Sequence, residues 1–404
     1  EEQYKYLEPP KDICYVSLED DKKPEVLFVS NGNGKKLKDA VEEIRNNYIE
    51  IVEEFYNASS EDEKDELIEE IQSKRNDYIS ELMEMAKKED FEVKVTNKGF
   101  AFIPLISGKV ISEMEYDNLE KNKKEAIVAK ASILKKKAEA VLGKLKEIET
   151  KSIKKLKEIY SDFLANEMEG YKDEVLLEFI DDDAAYEYLE KLFISMEKEI
   201  ISCYTMDIEE DEEQLYQVIN KYDIHLLVDN SLRSTPPVIY EEDPNLNNLM
   251  GFIEYENHNG VYTTDISLIN SGTLLKANGG CLIVRVSSLA NNSYSYYHLK
   301  KALITNKITY DISKSYVEVI SISGLKPQPI PIDVKVILIG DQETYDTLYS
   351  LDEDFRKLFP LRAEFNPIVE TNDNVTAYIN KAIKDKVKRN NLMPITEDGV
   401  NEII

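Results

Sequence analysis

The chain has 404 residues, enough for two or three domains with cores of their own. Its formal charge of −29, from 79 acidic against 50 basic residues, argues against a surface for DNA or membrane phosphates, which it would repel. No apolar run is long enough to cross a bilayer, the N-terminus does not read as a signal peptide, and Cys14, Cys203 and Cys281 are scattered without CxxC spacing. Together these features point to a reducing, cytoplasmic setting. The chain opens on Glu1 and stops inside a helical pattern, NEII, which reads as a piece of something longer.

Residues 11 to 30 predict two short strands, DICYVSL and EVLFVS, around a DDKKP turn. The NGNG that follows resembles a phosphate loop only in part. No Lys-Ser/Thr closes it, so Gly32-Asn33-Gly34 is read as a strand-to-helix turn. From Lys35 the apolar positions Leu37, Val41, Ile44, Tyr48, Ile51, Val52 and Phe55 share one helical face. A second helix is expected between the acidic SSEDEKDE and about Lys88. The period then changes to two: FEVKVTNKGFAFIPLISGKVI predicts a hairpin around Asn97-Lys98-Gly99.

A long helix begins near Leu119. Ile127, Ala131, Leu134, Ala138, Val141, Leu145 and Ile148 alternate in steps of four and three, the spacing of a coiled-coil seam. The phase slips near Ser152 and resumes at Leu156, which predicts one arm of an intramolecular antiparallel pair. Its Lys-rich outer face, Lys121 to Lys157, is either a solvated helix face or a docking surface. Two further helices are expected within residues 170 to 216, very acidic at EEDEE. Thereafter YDIHLLVDNS, CLIVRV, SYVEVISIS and VKVILIG are apolar and rich in Val and Ile, predicting a largely parallel α/β sheet. A helix from Val375 to Lys388 and another start at Thr396 suggest a small helical lid.

Metal and triad chemistry find little support. His225, His258 and His298 lie far apart with no Cys or carboxylate at ligand spacing, and no Ser stands in a nucleophile turn. Paired carboxylates say nothing in so acidic a chain.

Several segments carry a more specific pattern, in order along the chain: CYVSLEDDKKPEVLFVSNGNGKKL, FEVKVTNKGFAFIPLISGKVISEMEY, HLLVDNS, NLMGFIEYENHNGVYTTDISLINSGTLLKANGG, PIPIDVKVILIGD and DEDFRKLF. They resemble the Lon-related proteases, in particular the bacterial Lon-like group whose ATPase core carries an inserted helical domain. The resemblance implies an AAA+-like α/β core with a mostly parallel sheet and a large, mainly helical insertion containing a β-hairpin and a coiled-coil arm. In its terms, residues 1–34 open the core, 35–216 are the insertion with the hairpin near 91–106, 217–368 are the main core, and 369–404 start the helical lid.

The family further implies a homo-hexameric ring that feeds unfolded polypeptide to a peptidase chamber with a Ser-Lys pair, a domain this chain does not include. Loops that grip the substrate would lie in residues 228 to 265, with Val261-Tyr262 and Leu249-Met250 as candidates; core or subunit-interface roles are the other reading of Leu249-Met250. Asp341 takes the place of the polar sensor, and Arg356 that of a finger reaching a neighbour's nucleotide. The strand CLIVRV matches one that ends in Asp-Glu in such ATPases, the first acid placing Mg²⁺ and the second polarising water. Here Arg285 and Val286 stand there, and a cation opposes metal binding. The expectation is a degenerate, ATP-independent Lon-like protease of the C type. ATP and Mg²⁺ enter only if a phosphate loop outside this chain is intact. An ATP-dependent Lon module and a non-catalytic scaffold are the alternatives, and no nucleic acid or membrane partner is expected.

Overall fold

The computed structural model describes residues 4–403 apart from 5, 19, 58–61, 97, 98, 107, 112, 206, 207, 259, 260, 311–324, 367 and 371. Strands β1 (Asp12–Val16) and β2 (Glu25–Val29) form the expected hairpin, antiparallel from Asp12↔Val29 to Val16↔Glu25. The chain turns through Gly32, at φ +82°, into α1 (Asn33–Asn57). Leu37, Val41, Ile44, Tyr48, Val52 and Phe55 are buried along one face of that helix, as their spacing requires. Helix α2 (Asp62–Lys88) leads into β3 (Phe91–Thr96), β4 (Gly99–Ile106) and β5 (Lys109–Val110), an antiparallel sheet in which Thr96 faces Gly99 across the predicted turn.

After α3 (Glu113–Asp117), helix α4 (Lys121–Glu178) runs 58 residues without a break, about 87 Å at 1.5 Å per residue. Its two halves serve different cores. Leu134, Ala138 and Val141 pack on Leu82 and Ala86 of α2 and on Phe91, Phe100 and Phe102 of the hairpin. Past Ser152 the buried stripe becomes Leu156, Tyr160, Leu164, Met168 and Val175, packed with α1, α5 (Asp183–Cys203) and α6 (Ile208–Lys221). The change of phase at Ser152 is therefore a change of partner.

The strand HLLV departs from expectation. It forms β6 (Ile224–Val228) and pairs antiparallel with β1, in a sheet ordered β2-β1-β6, rather than joining the parallel sheet. An apolar run shows burial on two faces but not direction. Both faces of β1 are buried, Cys14 and Val16 toward the helical core and Ile13 and Tyr15 toward a second core.

That second core lies under the parallel sheet. The chain around it runs through β7 (Val238–Glu241), α7 (Leu246–Met250), β8 (Gly251–Ile253), β9 (Glu256–His258), β10 (Val261–Thr263), β11 (Ile269–Ser271), α8 (Thr273–Lys276), β12 (Cys281–Arg285), α9 (Val286–Ala290), α10 (Ser293–Thr305), β13 (Lys307–Ile308), β14 (Ile330–Pro331) and β15 (Lys335–Ile339), of which β9 and β10 add no residue to the core. The parallel sheet has the order β15-β12-β7, with Leu282 and Val284 of β12 fully buried. The expected strand SYVEVISIS lies outside the described residues.

Residues 342–404 form a separate compact unit. It contains α11 (Gln342–Leu351), α12 (Glu353–Leu358), α13 (Asp373–Arg389) and α14 (Glu397–Ile403); the last two lie close to the helices read from sequence at Val375 to Lys388 and from Thr396. Among the described residues, no helix is long and apolar enough to cross a membrane.

Candidate functional site

Ligand sites in open parallel sheets lie beyond the carboxyl ends of the strands. Here β12 ends at Arg285, which pairs in register with Ile339 at the end of β15. Gly340 and Asp341 follow directly, so Arg285, Val286 and Asp341, far apart in sequence, meet at one end of the sheet. The Arg285 side chain is exposed and its guanidinium lies 6.0 Å from the ring of Tyr240 on β7, a cation–π contact. Val286 is buried, and a Cβ built on Gly340 would sit 3.4 Å from its Cγ2. A side chain at position 340 would therefore rest on the valine in ordinary van der Waals contact. Asp341 is exposed at the start of the loop after β15. The opposite end of the sheet carries a depression of about 340 Å³ lined by Pro10, Lys11, Phe28, Asn278, Gly279, Pro331, Ile332 and Asp333.

The polar insertion before β12 is a hairpin, as expected. Strands β9 and β10 pair antiparallel, Tyr262 opposite Asn257. Its base is tied by Thr264 Oγ1 donating to the Glu254 carbonyl (2.8 Å) and Asn270 Nδ2 donating to Glu254 Oε1 (3.0 Å). Tyr262 is 39% exposed. Leu249 and Met250 require a correction as substrate-gripping candidates. They are 0% and 3% exposed and pack with Leu274, Leu275 and Leu299, because α7 folds back on α8 and α10. Of the two readings the sequence left open for this pair, the structure favours the core.

In the second unit, Arg356 lies on α12, whose N-terminus is capped by Asp352 accepting from Asp354 N and Phe355 N. Arg356 Nη1 donates to the carbonyls of Tyr349 (2.6 Å) and Ser350 (3.4 Å). A cation thus meets the carbonyl end of α11, where the helix dipole favours it. Arg362, which sequence reasoning passed over, stacks 4.4 Å from the ring of Tyr345 and donates to Gln342 Oε1 and Glu364 Oε2.

Residues 234–366 match the family described as LonB-like, AAA domain. This chain carries a LonB-like AAA domain. The match covers Tyr240, Arg285, Val286, Asp341, Arg356 and the β9–β10 hairpin, and it agrees with the resemblance to Lon-related proteases read from the sequence. No curated protein matches the chain.

A second cluster lies outside the LonB-like segment, and sequence reasoning missed it. Asp12 is fully buried; its Oδ2 accepts from the amides of Gly32 and Gly34 (both 2.9 Å) and its Oδ1 from that of Asn230 (2.8 Å). Asp182 Oδ2 accepts from Ser30 N (2.7 Å) and Asn33 Nδ2 (3.0 Å). The Gly32 and Gly34 amides of the NGNG turn, which in a phosphate loop would face an anion, are thus bound to an internal carboxylate. Gly34 has no room for a side chain: a Cβ there would lie 2.6 Å from Leu226 Cδ1 and 2.9 Å from Asp12 Cβ. Glycines two apart in the turn after β2, with an Asp opening the neighbouring strand β1, were the signal available. Burial, with Asp12, Asp182 and Asp229 nearby, pushes the Cys14 thiol up to about 12, so it stays protonated and unreactive. His225 is half-buried with Nε2 2.8 Å from the Ile269 carbonyl, and burial lowers its pKa.

Proposed function

We propose that the chain is the substrate-capturing and gating portion of a Lon-like protease that degrades unfolded or damaged proteins with defective ATP hydrolysis. The observation that carries this reading is the identity of the residues at the carboxyl end of β12 within the LonB-like domain. A magnesium ion bridging nucleotide phosphates needs anionic or neutral oxygen donors. Arg285 instead places a fixed positive charge there, held against Tyr240, and a cation at that position repels a metal ion. Val286 is hydrocarbon and buried, with no group to polarise water. The residues present do not fit a magnesium–nucleotide centre.

Gating then depends on binding rather than on a nucleotide cycle. Tyr262, with Val261 beside it on a short hairpin, supplies an aromatic wedge that packs on any peptide without reading its sequence. A hexameric ring of such hairpins would thread unfolded chains toward a Ser-Lys peptidase domain outside this chain. Arg356 uses Nη1 on α11 and retains further N–H donors for an acidic group on a neighbouring copy. The test is phosphate release by the longest native form of the protein at saturating Mg-ATP, with and without unfolded substrate. The reading expects no turnover above background; substrate-stimulated turnover overturns it. A gain of turnover in Arg285→Asp with Val286→Glu would show that only the acids had been lost.

A further inference from the structure

Strand β2 lies at the edge of its sheet, with β1 on one side only. Along its other side runs a strap. Lys326 N donates to the Lys22 carbonyl (2.7 Å), Gln328 N to the Pro24 carbonyl (2.9 Å), and Gln328 Oε1 accepts from Val26 N (2.9 Å). The chain thus covers the first half of this edge with a strand-like segment of its own. The strap then leaves β2, since Ile330 pairs with Ile308 of β13, and Pro329 and Pro331 have no N–H to give. Backbone groups two residues apart point to the same side of a strand. The Val26 carbonyl and the Phe28 amide and carbonyl therefore face outward, like the groups the strap binds. Among the described residues, no hydrogen bond outside the β1–β2 ladder reaches Phe28.

Beside this open stretch lies the depression of about 340 Å³ at the end of the parallel sheet away from Arg285, lined in part by Phe28 and Pro331. Its volume falls in the range of small-ligand pockets, about 300 to 1,000 Å³. Val26 and Phe28 turn their side chains toward the second core. A residue paired with Phe28 would turn its own side chain to the same face, where the depression is.

We infer that the open edge of β2 takes up an extended segment of unfolded polypeptide by strand addition, with one apolar side chain seated in the depression. Backbone complementarity selects that occupant. Outward N–H and C=O groups in strand register match a peptide backbone, and the strap displays the same pairing within the molecule. Lys11 and Asp333 at the depression carry opposite charges, so the site favours neither an anion nor a cation, while Pro10, Phe28, Pro331 and Ile332 give it an apolar wall. This inference rests on the reading that the chain captures unfolded polypeptide, and adds to it an anchoring place separate from the Tyr262 hairpin.

The test is fluorescence anisotropy of the purified chain with a labelled heptapeptide of alternating Thr and Leu. Two N-methylated forms of the peptide are compared, one blocked at its Leu amides and one at its Thr amides. Strand addition uses one edge of a peptide, so one form should bind about tenfold or more weakly and the other about as well as the parent peptide. Lys11→Trp, which places a bulky ring at the depression from an exposed position, should weaken binding about tenfold at unchanged melting temperature, and Tyr262→Ala should leave it unchanged. If Lys11→Trp lowers the melting temperature, the methylated pair decides. Equal binding of all three peptides, or parent-like binding by a stable Lys11→Trp, overturns the inference. Binding lost in Tyr262→Ala alone assigns the peptide to the hairpin, which overturns the inference and leaves the capture reading standing. A peptide that does not bind overturns it as well, and a whole unfolded protein that still binds then keeps the capture reading.

Discussion

Replacing Asp12 with Asn tests whether an internal anion holds the NGNG turn. The carboxylate is fully buried and accepts from Gly32, Gly34 and Asn230 at 2.8 to 2.9 Å. In Asp12→Asn the amide oxygen can keep the Gly32 and Gly34 bonds, both made to one oxygen. The NH₂ then faces the Asn230 N–H, a donor against a donor. The loss is one charge-assisted hydrogen bond and one buried unsatisfied donor, while the two remaining bonds weaken to neutral ones. At about 1 to 3 kcal/mol for a stranded buried donor, the cost should be about 2 to 3 kcal/mol. Asp12→Ala strands three amides and should cost more, about 3 to 5 kcal/mol. Chemical denaturation followed by circular dichroism measures the total, and amide hydrogen exchange at Gly32, Gly34 and Asn230 locates it. A change below about 0.5 kcal/mol in Asp12→Ala, with protection at those amides retained, would refute the clamp.

Other substitutions probe the remaining sites. Leu249→Ala should lower stability by about 2 to 5 kcal/mol in denaturant unfolding, because Leu249 is fully buried between α7, α8 and α10. Tyr262→Ala should leave that stability within about 0.5 kcal/mol and weaken binding of an unfolded polypeptide, measured by fluorescence anisotropy. His225 has a folded-state pKa below its ordinary value, so its neutral form is the one the fold favours. That contribution is complete above about pH 6.5 and is lost as pH falls through the folded value. Unfolding midpoints compared at about pH 7.5 and about pH 5.5 should fall less in His225→Gln than in the parent chain.

Helix periodicity was legible because it is local. The α1 face, the α2 extent, the β3–β4 hairpin and the register change at Ser152 of α4 all follow from residues within a few turns of one another. Strand direction was not, since the apolar run at Ile224–Val228 fits either sheet, and its partner β1 lies more than 200 residues away. The Asp12 clamp was hidden for the same reason: it joins Gly32 and Gly34 to Asn230 through one carboxylate in a chain full of acids. At the LonB-like site, strand order brought Arg285 and Asp341 to one sheet end, as motif order implied. Burial of Leu249 and Met250 depends on α7 folding back at Gly251, which has φ +86° and would clash with the Asn270 carbonyl if it bore a side chain. A hydrophobic pair beside a hairpin carries no such information in its sequence alone.

The most direct test of the central claim is degradation of an unfolded model protein by the longest native form, with and without Mg-ATP. A degenerate site at the end of β12 predicts the same cleavage rate in both conditions. Cleavage that requires ATP would contradict the role assigned to Arg285 and Val286.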